Sequence, residues 1–211
     1  MEIKQIEILS ENVVLPGILT IPPQAQGLVL FAHGSGSGRL SPRNQFVAGV
    51  LHQHHIATLL FDLLTPAEDR DYENRFNIEL LAERLIVATN WIKEKTVKHN
   101  FKLGYFGAST GAAAAIKSAV CLKKDVAAVV SRGGRPDLAS NLELGSLSCP
   151  ILLIVGGDDT EVIQLNKLAY NEIKSKKQLD IIPGATHLFE EAGTLEQVAE
   201  LAANWFAKYL I

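Results

Sequence analysis

A serine, a pair of acids and a histidine stand in one order along this chain, and together they could perform acyl transfer. The serine is Ser109, at the centre of Gly107-Ala108-Ser109-Thr110-Gly111. This G-x-S-x-G spacing suits a sharp turn between a strand and a helix, where only small flanking side chains fit and the serine hydroxyl points outward. A serine hydroxyl is a weak nucleophile, so it needs a base, and the base needs an orienting group. Downstream, Gly156-Gly157-Asp158-Asp159-Thr160-Glu161-Val162 offers acids, with Asp158 and Asp159 both open on spacing alone. Pro183-Gly184-Ala185-Thr186-His187 then offers a histidine. An oxyanion formed at Ser109 would be held by the backbone N–H of Thr110 and by a second N–H facing it. The loop His33-Gly34-Ser35-Gly36-Ser37-Gly38 supplies the candidate, Ser35.

The remaining histidines fit this chemistry less well. His52, His54 and His55 fall at a helix end without a carboxylate at ligand spacing, so they read as surface histidines and no metal site is expected. His99 precedes a strand, on the opposite edge. His33 ends a strand beside a glycine and is expected to order its loop by hydrogen bonding. Neither G-x-G-x-x-G, which meets Arg39 where its last glycine should be, nor a phosphate-binding G-x-x-x-x-G-K-[ST] occurs, and no cofactor is expected.

These residues require elements to carry them. Residues 3–9 and 12–21 read as an antiparallel edge hairpin. The apolar runs 27–32, 57–62, 103–106, 126–130 and 151–155 read as strands buried on both faces, with 178–182 as a further strand. Ser41-Pro42 opens a helix running to about His54. Ile78, Leu81, Leu85, Ala88 and Ile92 form an amphipathic stripe, and further helices follow the elbow, span about 161–175 and close the chain. The alternation predicts an α/β fold, a mostly parallel sheet with helices on both faces, as a single domain over 1–211. In such sheets ligands bind beyond the carboxyl ends of the strands, where every candidate loop falls. The short stretch between the strands ending at 130 and starting at 151 leaves no room for a large cap domain.

Composition agrees with a globular enzyme. Hydrophobic residues make up 47% and charged residues 20%, with a net charge of −3. The acidic balance and the lack of basic runs argue against nucleic acid, and no apolar run is long enough to span a membrane. The opening Met1-Glu2-Ile3-Lys4-Gln5-Ile6-Glu7 lacks a signal-peptide pattern, so a cytoplasmic setting is expected, with Cys121 and Cys149 as buried thiols.

Beyond these features, the chain resembles the serine-nucleophile branch of the dienelactone hydrolase-like proteins, a group of α/β-hydrolases also found fused to phosphoribosyltransferase domains. The likeness covers nearly the whole chain. It rests on His33–Gly38, Glu68-Asp69-Arg70, Arg75–Leu85, Gly107–Gly111, Ser131-Arg132-Gly133-Gly134-Arg135-Pro136-Asp137-Leu138 and Pro183–Phe189. The resemblance implies an α/β-hydrolase fold and a Ser–Asp–His triad of Ser109, Asp159 and His187. It favours Asp159 over Asp158 through the pattern G-x-x-D-x-x-V, met by Gly156, Asp159 and Val162. Dienelactone hydrolases proper carry cysteine at the elbow, so the hydrolase chemistry carries over and that particular substrate does not.

The expected activity is hydrolysis of a small soluble ester or lactone, with thioester or peptide hydrolysis, or a non-catalytic ligand sensor, as the other readings. Arg39, Arg43, Arg70, Arg75, Arg132 and Arg135 cluster near strand ends. Either they bind an anionic substrate, with Arg132 and Arg39 the candidates, or they tie down acidic loops containing Glu68, Asp69, Asp71, Glu73 and Asp137.

Overall fold

The computed structural model describes residues 1–211. Eight strands form one sheet: β1 (Glu2–Ser10), β2 (Val13–Ile21), β3 (Gly27–Ala32), β4 (Ile56–Phe61), β5 (Lys102–Ala108), β6 (Val126–Arg132), β7 (Ile151–Gly156) and β8 (Lys177–Ile182). Their order is β1-β2-β4-β3-β5-β6-β7-β8. The β1–β2 hairpin joins antiparallel through β2 to β4, and every other pairing is parallel. β3, β4 and β7 are buried at every position, as continuous apolar runs covered on both faces must be.

Six helices supply that cover. α1 (Pro42–Gln53) and α6 (Thr194–Leu210) lie on one face, where Val47, Leu51, Val198, Ala202 and Phe206 pack on Val29, Phe31, Phe106 and Val130. α2 (Ile78–Lys95), α3 (Thr110–Leu122), α4 (Asn141–Ser146) and α5 (Thr160–Glu172) lie on the other, through Leu85, Ala114, Leu144 and Ala169. Their starts follow from local chemistry. The Asn44 N–H donates to Ser41 Oγ at 3.4 Å with Pro42 in the first turn, and the Leu80 N–H donates to Asn77 Oδ1 at 3.1 Å.

The structure adds detail in three places. The polar stretch before α2 holds two 3₁₀ turns, Glu68–Arg70 and Tyr72–Phe76. A short helix, α4, fills part of the β6–β7 connection and begins with a capping box of Ser140 and Glu143. α5 stops at Glu172 rather than running to 175, because Ile173 turns inward and is buried. One expectation fails: Cys149 is buried but Cys121 is exposed. It occupies the last turn of α3, on the side turned away from the sheet.

α6 lies close over the middle of the sheet. A Cβ placed on Gly104 of β5 would come within 2.7 Å of the Phe206 ring, which is itself fully buried. Phe206→Ala is therefore expected to lower stability by about 3–5 kcal/mol, read as a shift in the urea unfolding midpoint.

Candidate active site

All the candidate residues lie at or beyond the carboxyl ends of β3, β5, β6, β7 and β8. Ser109 follows β5 directly, with φ 50° and ψ −120°, a backbone conformation costly for any residue with a side chain. The turn around it is crowded. A Cβ on Gly111 would sit 2.1 Å from the carbonyl oxygen of Ala32, and one on Gly107 would sit 2.5 Å from the Cα of Ala112. α3 therefore begins hard against the ends of β3 and β5, and Ser109 is half-buried at its first turn.

His187 and Asp159 arrive from β8 and β7. The His187 loop passes over the end of β7 so closely that a Cβ on Gly156 would meet the Ala185 oxygen at 2.4 Å. His187 Nδ1 lies 2.6 Å from Asp159 Oδ2. An ionised carboxylate only accepts, so Nδ1 carries the proton and Nε2 presents a lone pair. Asp159 precedes α5 in the capping position, yet its side chain caps no helical N–H and serves the imidazole instead. Its side chain is 14% exposed, against 38% for His187. Asp158 is exposed and contributes a backbone N–H to Ala185 O at 2.9 Å. The residue that meets the histidine is Asp159.

Ser109 and His187 line one cavity of about 160 Å³, together with Gly34, Ser35, Arg43 and Arg132. The glycine-rich loop crosses directly over the elbow, a Cβ on Gly34 falling 3.0 Å from Ser109 Cβ. Thr110 is the first residue of α3, so its N–H has no partner within the helix. The Ser35 N–H donates to no backbone carbonyl. Both groups are thus available beside Ser109, where the positive end of α3 also points.

His33 holds that loop in place. Its Nε2 accepts the Leu63 N–H at 2.9 Å, and its Nδ1 donates to Gly34 O at 3.0 Å. Accepting at one nitrogen and donating at the other fixes a neutral ring, and burial lowers its pKa below the ordinary 6.5. Arg39 ties down the far end of the loop. Its N–H donates to Asp62 Oδ1 at 2.6 Å and its guanidinium pairs with the same carboxylate, so Arg39 lies outside the cavity shared by Ser109 and His187.

Most of the other arginines also have carboxylate partners. Arg75 grips Asp69 through Nε and Nη2 at 2.9 and 2.8 Å, and Arg135 grips Asp137 at 2.8 and 2.7 Å. Arg84, which sequence patterning did not single out, reaches Glu68 at 3.0 Å and Ser10 O at 3.0 Å, fastening the edge hairpin to the loop before α2. Its partner lies 16 residues away, a pairing no helical spacing announces. The histidines around the end of the first helix lie elsewhere, His52 on Thr58 and His55 on Pro23 O.

Residues 25–208 match the family model described as an alpha/beta hydrolase domain. The chain belongs to that family. A dienelactone hydrolase from Anabaena variabilis is 50% identical over all of this chain and 99% of its own, with a TM-score of 0.96. The dienelactone hydrolase-like α/β-hydrolases are thus its group within the family. A Mycobacterium tuberculosis protein provisionally named a phosphoribosyl transferase is 54% identical over 98% of this chain. The chain spans 46% of that relative's length. Est1E of Butyrivibrio proteoclasticus, at 16% identity and a TM-score of 0.82 over 97% of this chain and 98% of its own, shares the fold.

His33 generates a prediction on pH. Its folded pKa is depressed, so the unfolded chain takes up a proton first as pH falls, and stability present above about 6.5 is lost below it. The wild-type urea midpoint should fall between about pH 7.5 and about pH 5.5 more steeply than that of His33→Gln, whose amide donates and accepts without titrating. Parallel slopes would show that His33 does not govern this loss.

Proposed function

We propose that this α/β-hydrolase is a serine hydrolase that cleaves a small ester or lactone through an acyl-enzyme intermediate. The observation that carries the reading is the His187–Asp159 pair at 2.6 Å, on an imidazole that lines the same cavity as Ser109. In this reading His187 takes the Ser109 proton as the hydroxyl attacks the carbonyl carbon, and Asp159 stabilises the imidazolium that forms. The N–H groups of Thr110 and Ser35 hold the oxyanion, and the leaving alcohol departs with the proton from His187. Water then attacks the acyl-enzyme, giving its proton to the same histidine, and Ser109 is released with the acid product. The expected lack of any cofactor requirement belongs to the same reading.

The dimensions suit a short acyl group. The cavity beside Ser109 is small, and the groove next to it, along Ser37–Arg43 and Pro66, is open to solvent. The β6–β7 connection carries only a 3₁₀ turn and α4, with no cap over the site. No helix of the protein is long and apolar enough to cross a membrane, which fits a substrate met in solution. The transferase name belongs to mycobacterial proteins more than twice this length, and the part matched here supports hydrolase chemistry.

Ser109→Ala is expected to cut turnover of 4-nitrophenyl acetate by about 10⁴-fold or more while the circular dichroism spectrum stays native. A fluorophosphonate should label the wild-type protein and not this variant. Asp159→Asn should lose about 10³–10⁴-fold in kcat, while Asp158→Asn stays within a few-fold of wild type. Wild-type rates in Ser109→Ala would remove the assignment.

A further inference from the structure

One charge in the cavity has no partner in the protein. Arg132 ends β6 with 7% of its surface exposed, and it forms no salt bridge. Its Nε is buried without a hydrogen-bond partner. Its guanidinium lies 5.9 Å from the centre of the Phe189 ring, a contact that steadies a cation without neutralising it. Burial lowers its pKa to about 10, with the nearby charge of Arg43 acting in the same direction. At that value the group is still cationic at neutral pH. Arg43, the second cation of the cavity, is half-engaged by the exposed Glu190 at 3.1 Å.

The contrast with the rest of the molecule carries the inference. Arg39, Arg75, Arg84 and Arg135 each have a carboxylate in contact, so the fold readily satisfies guanidinium groups. A buried cation left unpaired is costly. Two arginines line the cavity with Ser109 and His187, and the fold bears that cost at Arg132, the one of the two that has no carboxylate partner. We infer that Arg132, assisted by Arg43, forms an anion subsite, and that the substrate carries a compact anionic group on its short acyl portion.

The cavity's small volume puts the anion on the acyl side, since one space of about 160 Å³ holds both the guanidinium and the reacting serine. A carboxylate and a phosphoryl group share the needed chemistry, two oxygens that accept from one planar fork. The inference rests on the hydrolase reading above, and its test separates the two.

The experiment compares kcat/KM for the 4-nitrophenyl monoester of succinic acid, for its neutral methyl-ester isostere, and for 4-nitrophenyl 3-phosphonopropionate. In the wild-type protein one or both anionic esters should exceed the neutral one by about tenfold to a hundredfold. In Arg132→Met that ratio should collapse to near one. Arg132→Lys, which keeps the charge without the fork, should retain part of it. The better anionic ester identifies the group. A wild-type ratio of one, or a ratio unchanged in Arg132→Met, overturns the subsite. Should Arg132→Met fail to fold, the wild-type ratio and the lysine variant decide. Direct binding keeps the question apart from turnover: succinate and inorganic phosphate are titrated calorimetrically into Ser109→Ala and into Ser109→Ala/Arg132→Lys. Saturable binding of either ligand, weakened about tenfold or more in the double variant, supports the subsite even if no ester is hydrolysed. Binding of neither to Ser109→Ala overturns it.

Discussion

Ser109 sits at φ 50° and ψ −120°, and a residue with a side chain stays in that conformation only when its surroundings leave no alternative. Here the constraint is backbone against backbone. α3 starts so close to the end of β3 that the Ala32 carbonyl occupies the place where a side chain on Gly111 would go. The alanine run Ala112–Ala115, all fully buried, lets the helix keep that closeness along its first turns. Relaxing the turn would mean separating α3 from two central strands, so the strain is held by the packing of the whole sheet. The outward hydroxyl and the free N–H of Thr110 follow from the same crowding.

The other site loops are fastened by different means, and each tie reaches a neighbouring strand or loop. The loop after β3 is tied at one end by His33 to Leu63 and at the other by Arg39 to Asp62, both partners lying just after β4. The His187 loop is laid against the glycines after β7 and fixed by the bond to Asp159. A site assembled from five strand ends thus gains its rigidity from pairs that join adjacent loops, with the sheet order bringing β3, β5, β6, β7 and β8 together. These ties are hydrogen bonds and ion pairs to half-buried groups, which gain from a lowered local dielectric and are screened less than surface pairs.

Much of this arrangement was legible in the sequence. The strands reveal themselves as short apolar runs because both their faces are covered. The elbow reveals itself because only glycine and alanine tolerate its crowding. Ser109, Asp159 and His187 were readable in their order, although spacing alone left Asp158 open beside Asp159; the difference lies in which side chain faces inward after β7, a matter of one residue's rotation. Other features were hidden for physical reasons. Cys121 and α4 depend on which side of a helix or connection faces solvent. The pairing of Arg84 with Glu68 depends on how a loop folds back over α2, which no local pattern encodes.

The arginines mark the boundary most clearly. Six of them stand near strand ends in the sequence, and their chemistry is identical there. Three-dimensional placement divides them by two criteria, whether a carboxylate lies within reach and whether the side chain is buried: Arg70 has no carboxylate partner but is exposed, whereas Arg132 is unpaired and buried. Arg39 and Arg75 find acids in the loops beside β4, and Arg135 finds one two residues along its own connection. Arg132 is the last residue of β6, so its backbone is committed to the ladder, its carbonyl accepting the Ser109 N–H at 3.3 Å. That fixes its Cα at the strand end, and the guanidinium rests over the Phe189 ring, 5.9 Å from its centre, rather than on a carboxylate. The β5–β6 register thus sets Ser109 and Arg132 side by side, so the strained turn and the unpaired charge share the same pair of strand ends.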